Sequence, residues 1–276
     1  MADTVRFDKM HGLGNDYIYI NTDRYPIRDL EAFARRYSDR RFGIGGDGVV
    51  TYGREGGEVY RMRIFNIDGS EGQMCGNAIR CVAKLLYEEG LDHTNPMRID
   101  TASGLKVLHL VTDEMGRVGS VRVDMGRPVL LEHELSVSVE GATYTGMQVS
   151  MGNPHFVTFL DQDPMQYPLE HFGPLVERHS HFPDRVNFEI VRVEDRHHLS
   201  MRVYERGSGL TLACGTGACA TAVAALESGL VESPVEIRMP GGALSIEWNG
   251  DPMDSVFMTG PATWVYAGQV TGDFLG

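Results

Sequence analysis

The sequence predicts an α+β protein made of two homologous domains related by pseudo-two-fold symmetry. Each domain is expected to be a mostly antiparallel, barrel-like sheet wrapped around a central helix. Three observations predict this fold: a gapless internal repeat, many short strand signals and few helical ones. In the repeat, Met62–Asn66 returns as Met201–Glu205 and Cys75–Ala78 as Cys214–Gly217, at one offset (201 − 62 = 139 and 214 − 75 = 139). An offset of about half the 276-residue chain indicates two domains rather than a solenoid.

The predicted strands are short segments with alternating apolar residues, separated by Gly, Asp or Asn. In the first half they are Ile18–Asn21, Val59–Asn66, Met97–Thr101, Leu105–Val111 and Ser120–Asp124. In the second half they are Thr143–Ser150, Phe156–Leu160, Asn187–Val193, Met201–Glu205, Val235–Met239, Ala243–Trp248 and Ser255–Thr259.

Helical patterns are few. The four predicted helices are Asp29–Tyr37, Gly76–Glu88, Leu169–Arg178 and Gly215–Leu226. The fourth is almost wholly apolar, so it should lie inside its domain. Together with the strands, these helices predict an N-terminal domain at residues 1–120 and a C-terminal domain at residues 121–262.

Composition and charge narrow the class of protein. A hydrophobic fraction of 42% and a charged fraction of 23% are typical of a soluble globular protein. The net charge of −13 argues against nucleic acid and anionic membrane as partners, since both require clustered cations. Residues 1–6 lack the features of a signal peptide, and Leu210–Leu226 is too short to span a bilayer. We therefore expect a cytoplasmic protein whose partners are neither nucleic acid nor membrane.

The four cysteines are Cys75, Cys81, Cys214 and Cys219. In a cytoplasmic protein they should remain reduced thiols. Residues five or six apart do not share a helix face, so neither pair has the spacing of a zinc site, and no metal is expected. Cys81 and Cys219 are interpreted as small core residues.

Cys75 and Cys214 are each followed by Gly at the predicted start of a helix. The first N–H groups of a helix have no internal partner, so they can hold an anion such as a carboxylate. The same partial positive charge is expected to lower the thiol pKa toward the working pH. Two such thiols facing each other could remove a proton from one face of a carbon and return one to the other.

Eight segments of the chain also carry a family resemblance. They are His11–Tyr17, Gly43–Gly48, Arg63–Ser70, Met74–Cys81, Gly152–His155, Val186–Phe188, Tyr204–Gly207 and Ala213–Gly217. In this order, and over the whole chain, they closely resemble diaminopimelate epimerases. The resemblance implies a homodimeric enzyme without cofactor that interconverts LL- and meso-2,6-diaminopimelate in lysine biosynthesis. It also implies that a last strand at about 263–276 returns to the first domain.

The resemblance further assigns roles to individual residues. It implies that Cys75 and Cys214 are the two acid/base thiols and that Asn15 lies near the reacting carbon. The backbone N–H groups implied to hold the adjacent carboxylate belong to Gly76, Asn77, Gly215 and Thr216. The residues implied to recognise the distal amino-acid group are Asn66, Asn153, Asn187, Glu205 and Arg206. A bidentate Arg and an accepting Glu suit a carboxylate and an ammonium.

Other interpretations remain open. A proline or hydroxyproline racemase would use the same two thiols, but Asp-Arg-Ser-Pro would precede the second one, where this chain has Glu205–Gly209. A non-catalytic thiol redox or binding protein would usually show Cys-x-x-Cys, which is absent. His155 either lines the site or has a structural role. Asp47 and Asp68 are expected to brace loops.

Overall fold

A computed structural model of the protein describes residues 3–273. Their contacts divide the chain into two units. The first unit runs to Val123 and resumes at Gly260, and the second is Asp124–Thr259.

Strands and helices are numbered in the order in which they occur along the chain. The strands of the first half are β1 (Asp3–Gly12), β2 (Asn15–Asn21), β3 (Gly48–Gly53), β4 (Tyr60–Asn66), β5 (Glu71–Gly72), β6 (Met97–Asp100), β7 (Lys106–Thr112) and β8 (Val118–Gly126). The remaining strands are β9 (Val129–Val139), β10 (Ala142–Ser150), β11 (Pro154–Phe159), β12 (Asn187–Val193), β13 (His198–Glu205), β14 (Gly209–Leu210), β15 (Val235–Met239), β16 (Gly242–Glu247), β17 (Val256–Pro261) and β18 (Thr263–Gly272). The helices are α1 (Leu30–Tyr37), α2 (Gly76–Glu88), α3 (Leu169–Glu177) and α4 (Gly215–Glu227), with a 3₁₀ turn at Pro164–Gln166.

The first unit is one continuous ladder of strands in the order β18-β1-β2-β3-β4-β6-β7-β8. Neighbouring strands are antiparallel, except for the parallel pairs β2–β3 and β4–β6. The short strand β5 pairs with β4 and leads toward α2. The C-terminal strand β18 pairs with β1 along its whole length.

The second unit has the order β9-β10-β11-β12-β13-β15-β16-β17. Its parallel pairs, β11–β12 and β13–β15, occupy the same places in the ladder as those of the first unit. The same order of strands and helices confirms the predicted α+β class with duplicated, mostly antiparallel sheets.

Each unit wraps its sheet around one helix, as predicted. In the first unit α2 packs on β1, β2, β6 and β7, and in the second unit α4 packs on β10, β11, β12, β15 and β16. Ten residues of α4 are buried, and most of them are Ala, Gly or Thr. Small side chains allow close packing of the sheet around the helix, so an apolar helix that shows no single apolar face is stable in this position.

None of the helices within residues 3–273 has the length and apolar content that crossing a bilayer requires.

Candidate active site

Cys75 and Cys214 are the N-cap residues of α2 and α4, which confirms that each stands where a helix begins. Both have extended backbone, with φ/ψ of −138°/118° and −127°/113°. Neither N-cap thiol makes a capping hydrogen bond of normal geometry with its helix. The ends of these helices therefore offer backbone N–H donors to an anion, from Gly76 and Asn77 in one unit and Gly215 and Thr216 in the other.

In the first unit, the Cys75 thiol lies against the side-chain amide of Asn15. Cys75 Sγ donates to Asn15 Oδ1 at 3.3 Å, and Asn77 Nδ2 donates to the same oxygen at 3.4 Å. Arg80, fully buried, holds the start of the helix by donating to Gly76 O and to Asn77 Oδ1, both at 2.9 Å. Three of the predicted residues, Asn15, Cys75 and Asn77, therefore form one group.

Asn66, another predicted site residue, forms its side-chain hydrogen bond in the turn after β4. It ends β4, and its Nδ2 donates to Ser70 Oγ at 3.0 Å in the turn that follows. In the first unit the structure thus associates Asn66 with this turn rather than with the Asn15 amide.

In the second unit, the Cys214 thiol lies against a carboxylate. Cys214 Sγ donates to Glu205 Oε2 at 3.3 Å, and the hydroxyl of Thr211 donates to Glu205 Oε1. Thr216 Oγ1 is 3.6 Å from the same sulfur. The predicted residues Glu205, Cys214 and Thr216 therefore meet around one thiol.

A hydrogen-bonded chain extends from this group into the buried part of the second unit. Asn153 Nδ2 donates to Thr216 Oγ1 at 3.3 Å, and Asn153 Oδ1 is 3.2 Å from His155 Nε2. The other ring nitrogen of His155, Nδ1, is 2.6 Å from Glu189 Oε1, and neither residue is exposed. Both nitrogens of His155 thus face oxygens that accept hydrogen bonds. His155 belongs to the environment of Cys214, reached through Asn153 and Thr216.

Asn187 and Arg206 form the remaining part of the predicted set. Asn187 donates from Nδ2 to Pro154 O at 2.8 Å and accepts from Arg206 N at 2.9 Å. Both ends of its amide are therefore used to fix the backbone. The exposed guanidinium of Arg206 donates to Asp184 O at 3.1 Å. Asn187 acts on the position of Arg206 rather than presenting a free amide.

The expectation that a helix N-terminus lowers the thiol pKa is wrong for Cys214. Burial raises the pKa of Cys214 well above its usual value, and the carboxylates of Glu205 and Glu189 raise it further. The hydroxyl of Thr216 and the Gly217 N–H act in the opposite direction but do not outweigh burial. Burial also raises the pKa of Glu205, against the hydrogen bonds from Thr211 and Cys214.

Glu189 is not among the residues predicted from the sequence, although the sequence carries a signal for it. Glu189 is a carboxylate in the apolar strand β12, and the repeat aligns it with Val50 (189 − 50 = 139). A charged residue that replaces a core residue of its repeat partner indicates a local requirement for charge. Within residues 3–273, no three His, Cys, Asp or Glu side chains are grouped so as to hold a metal ion.

Known proteins that match this chain agree with the family resemblance of its sequence motifs. The profile of the diaminopimelate epimerase family matches residues 7–131 and 147–265. The chain is 47% identical to a diaminopimelate epimerase of Bacteroides thetaiotaomicron, over 99% of this chain and 100% of the relative. It is 45% identical to one of Acetivibrio thermocellus, over 96% and 98%. A phenazine biosynthesis protein of the PhzF family from Bacillus anthracis shares the fold, with a TM-score of 0.74 at 15% identity, over 97% and 99% of the two chains.

Proposed function

The chain belongs to the diaminopimelate epimerase family, and we propose that it interconverts LL- and meso-2,6-diaminopimelate without a cofactor, in the synthesis of lysine and peptidoglycan precursors. The observation that carries this proposal is the pair of cysteines at equivalent helix N-termini of two repeated units. The family match over most of the chain supports the substrate. A proline or hydroxyproline racemase is the second candidate, because it would need the same two thiols.

The proposed reaction is a proton exchange at one α-carbon between two thiols. One cysteine, as thiolate, removes the α-proton, and the electron pair of the C–H bond remains on the substrate as a carbanion. The other cysteine, as thiol, donates a proton to the opposite face, and the configuration at that carbon is inverted. Cys75 and Cys214 exchange roles in the reverse direction.

The helix N-termini stabilise the transition state in this scheme. The α-carboxylate takes up negative charge as the proton leaves, and backbone N–H groups directed at it stabilise that charge without reorganisation. The proposed donors are the N–H groups of Gly76, Asn77, Gly215 and Thr216. The absence of a side-chain cap on α2 and α4 supports this role.

The distal amino-acid group of the substrate is recognised by Arg206 and its neighbours. The planar guanidinium holds the distal carboxylate bidentately, and Asn187 fixes the backbone from which it projects. Glu205 accepts from the distal ammonium in this proposal, and Asn66 and Asn153 complete the polar surroundings. The same carboxylate also accepts a hydrogen bond from Cys214 Sγ.

The proposed setting is a cytoplasmic homodimer. All four cysteines are free, which suits a reducing compartment. Three consecutive large apolar residues of β18, Trp264, Val265 and Tyr266, are each more than 40% exposed. An exposed apolar strip with two aromatic residues is typical of a surface that a second copy covers.

The test is exchange and epimerisation in deuterated water. Incubation with LL-2,6-diaminopimelate should give the meso isomer, with deuterium at the inverted α-carbon, measured by NMR and chiral chromatography. Cys75→Ser and Cys214→Ser should each lower the epimerisation rate by about 10²–10⁴-fold, because a hydroxyl is a much weaker acid/base group.

Parallel incubations with L-proline and trans-4-hydroxy-L-proline distinguish the second candidate. Turnover of either one, with none of diaminopimelate, would replace the proposed function by the racemase. Tight binding of diaminopimelate without deuterium incorporation would instead indicate a binding protein.

A further inference from the structure

Asp47 lies behind Asn15, on the side of the amide away from the thiol of Cys75. Asn15 Nδ2 donates to Asp47 Oδ2 at 2.7 Å, while Asn15 Oδ1 accepts from Cys75 Sγ at 3.3 Å. Asp47 is 32 residues from Asn15 in the chain and follows the glycine-rich turn before β3. One amide thus bridges a carboxylate and a catalytic candidate.

The chemistry of the carboxylate decides which way this amide points. An ionised carboxylate only accepts hydrogen bonds, so the Asn15 atom at 2.7 Å from Asp47 must be the NH₂ group. The carbonyl oxygen of Asn15 is then turned toward Cys75. We propose that Asp47 is a positioning residue, which locks the Asn15 amide with its oxygen on Cys75 and so holds that cysteine as the thiol, the proton-donating form.

Hydrogen bonds from neighbouring groups hold the Asp47 carboxylate in a fixed position. Arg40 donates to Asp47 Oδ1 at 2.9 Å, and the backbone N–H of Asp16 donates to Asp47 Oδ2 at 3.2 Å. Arg40 also binds both carboxylate oxygens of Asp16, at 2.6 and 3.2 Å, and the buried Lys9 is 2.6 Å from Asp16. Two cations therefore hold this pair of carboxylates in place beside the glycine-rich turn.

The fixed orientation of the Asn15 amide has a direct effect on the ionisation of Cys75. A carbonyl oxygen accepts from S–H but repels a thiolate, whereas an amide NH₂ would donate to a thiolate. Rotation of the Asn15 amide would therefore favour ionisation, but rotation would turn its oxygen onto the Asp47 carboxylate. In the proposed function, on which this inference rests for its role in catalysis, Cys75 begins as the acid. Cys214 is then the base in that direction, and the two cysteines exchange roles in the reverse direction.

Other titratable groups surround Cys75, but replacing Asp47 leaves their charge unchanged. Tyr19 on β2 and Cys81 on α2 both interact with Cys75, and burial raises the pKa of Tyr19 well above its usual value and that of Cys81 to about 11. Both therefore stay neutral near pH 7. Arg80, with donors on Gly76 O and Asn77, stays charged.

The experiment measures the ionisation of Cys75 directly, without turnover. In a Cys214→Ala background, the rate of carboxamidomethylation of Cys75 by iodoacetamide is followed by peptide mass spectrometry from pH 6 to 10. Asp47→Ala should move the midpoint of this profile down by about 0.5–1 pH unit, which is about three- to tenfold more thiolate well below the midpoint. Asp68→Ala, which removes another loop carboxylate, is the matched control and should leave the midpoint unchanged.

A second variant separates the effect of the Asn15 amide from the through-space effect of the Asp47 charge. Asn15→Ala should itself lower the midpoint, because it removes the acceptor of the S–H proton. In the Asn15→Ala background, Asp47→Ala should have less than half its effect, since only its through-space charge remains. An equal shift in both backgrounds would show that Asp47 acts as a charge and not through Asn15, and would overturn the proposal.

Two further outcomes are decisive. If circular dichroism shows that Asp47→Ala does not fold, Asn15→Ala alone decides: an unchanged or raised midpoint overturns the proposal. A chain that fails to epimerise diaminopimelate, yet shows the expected shifts in midpoint, would refute the proposed function and retain the positioning role of Asp47.

Discussion

Cys75 and Cys214 occupy equivalent positions in two repeated units, yet they donate to different acceptors. The partner of Cys75 is the neutral amide of Asn15, and the partner of Cys214 is the carboxyl group of Glu205. The amide oxygen of Asn15 favours the neutral thiol of Cys75, and the negative charge of Glu205 opposes a thiolate at Cys214. Both contacts therefore favour the thiol, but one acts through a hydrogen bond to a neutral amide and the other acts through a negative charge.

Replacing the carboxyl group of Glu205 tests this difference at Cys214. Burial is the largest cause of the raised pKa of Cys214, and the negative charge on Glu205 is the next largest. Glu205→Gln removes that charge, so the pKa should fall and the thiolate should appear at lower pH. The measurement is thiolate absorbance near 240 nm against pH in a Cys75→Ala background, with Cys214→Ala as the blank.

A matched control for this prediction is Glu236→Gln, which changes a partly exposed glutamate of the same unit. The control should leave the thiolate titration unchanged. If Glu205→Gln moves the titration to higher pH, the contact between Glu205 and the thiol stabilises the thiolate, and the assignment of the two acceptors is wrong.

The sequence could predict the two cysteines and the polar residues around them, but not the groups that orient them. Cys75 and Cys214 are adjacent to their helices in the chain, so the repeat and the following glycines reveal their position. Asp47 and Glu189 act through residues 32 and 34 positions away, Asn15 and His155. Such contacts depend on strand pairing, which a single sequence does not specify.

At the scale of the elements, a pair of linked differences distinguishes α4 from α2. The repeat aligns Gly217 of α4 with Ala78 of α2 (217 − 78 = 139), as it aligns Glu189 with Val50. A Cβ at Gly217 would lie 2.8 Å from Glu189 Oε1 and 3.3 Å from Cys214 Sγ. The glycine therefore makes room for the carboxylate that pairs with His155, and the two substitutions belong together.

This pairing predicts the outcome of a double-mutant cycle. Gly→Ala inside a helix usually stabilises by about 0.5–1 kcal/mol, but Gly217→Ala should destabilise by about 1–3 kcal/mol because the methyl group meets Glu189. In a Glu189→Val background, which restores the residue type of the first unit, Gly217→Ala should cost much less. Urea unfolding of the four chains measures both free energies, and equal costs in the two backgrounds would disprove the coupling.

The strands that the sequence did not predict differ physically from those it did. All six residues of β3 are buried, so their apolar run lacks alternation, while β9 alternates only in its second half and its first six residues are exposed or half-buried. In β1, the charged Asp8 and Lys9 interrupt the pattern, yet both are buried. Trp264 Nε1 donates to Asp8 at 2.9 Å and Asp16 pairs with Lys9, and both partners come from other strands.

At the scale of the whole molecule, the proposed dimer is linked to the strip formed by Trp264, Val265 and Tyr266. Trp264 and Tyr266 also have contacts inside their unit: the indole with Asp8, and the phenol ring edge-on to Phe7 at 6.1 Å. Val265 lies where the register of β1 and β18 shifts, and it is 48% exposed. It is therefore the residue of the strip whose replacement disturbs the unit least.

Val265→Asp should dissociate the dimer while leaving the fold intact. A carboxylate placed in a desolvated apolar interface should raise the dissociation constant by about 10²-fold. Sedimentation velocity over a range of micromolar concentrations measures the monomer fraction, and circular dichroism checks folding. Val111→Asp is the matched control, because Val111 of β7 is 53% exposed in the same unit and lies outside the strip. A dimer that is as tight with Val265→Asp as with Val111→Asp, or a natural chain that stays monomeric throughout, would rule out this surface as the interface.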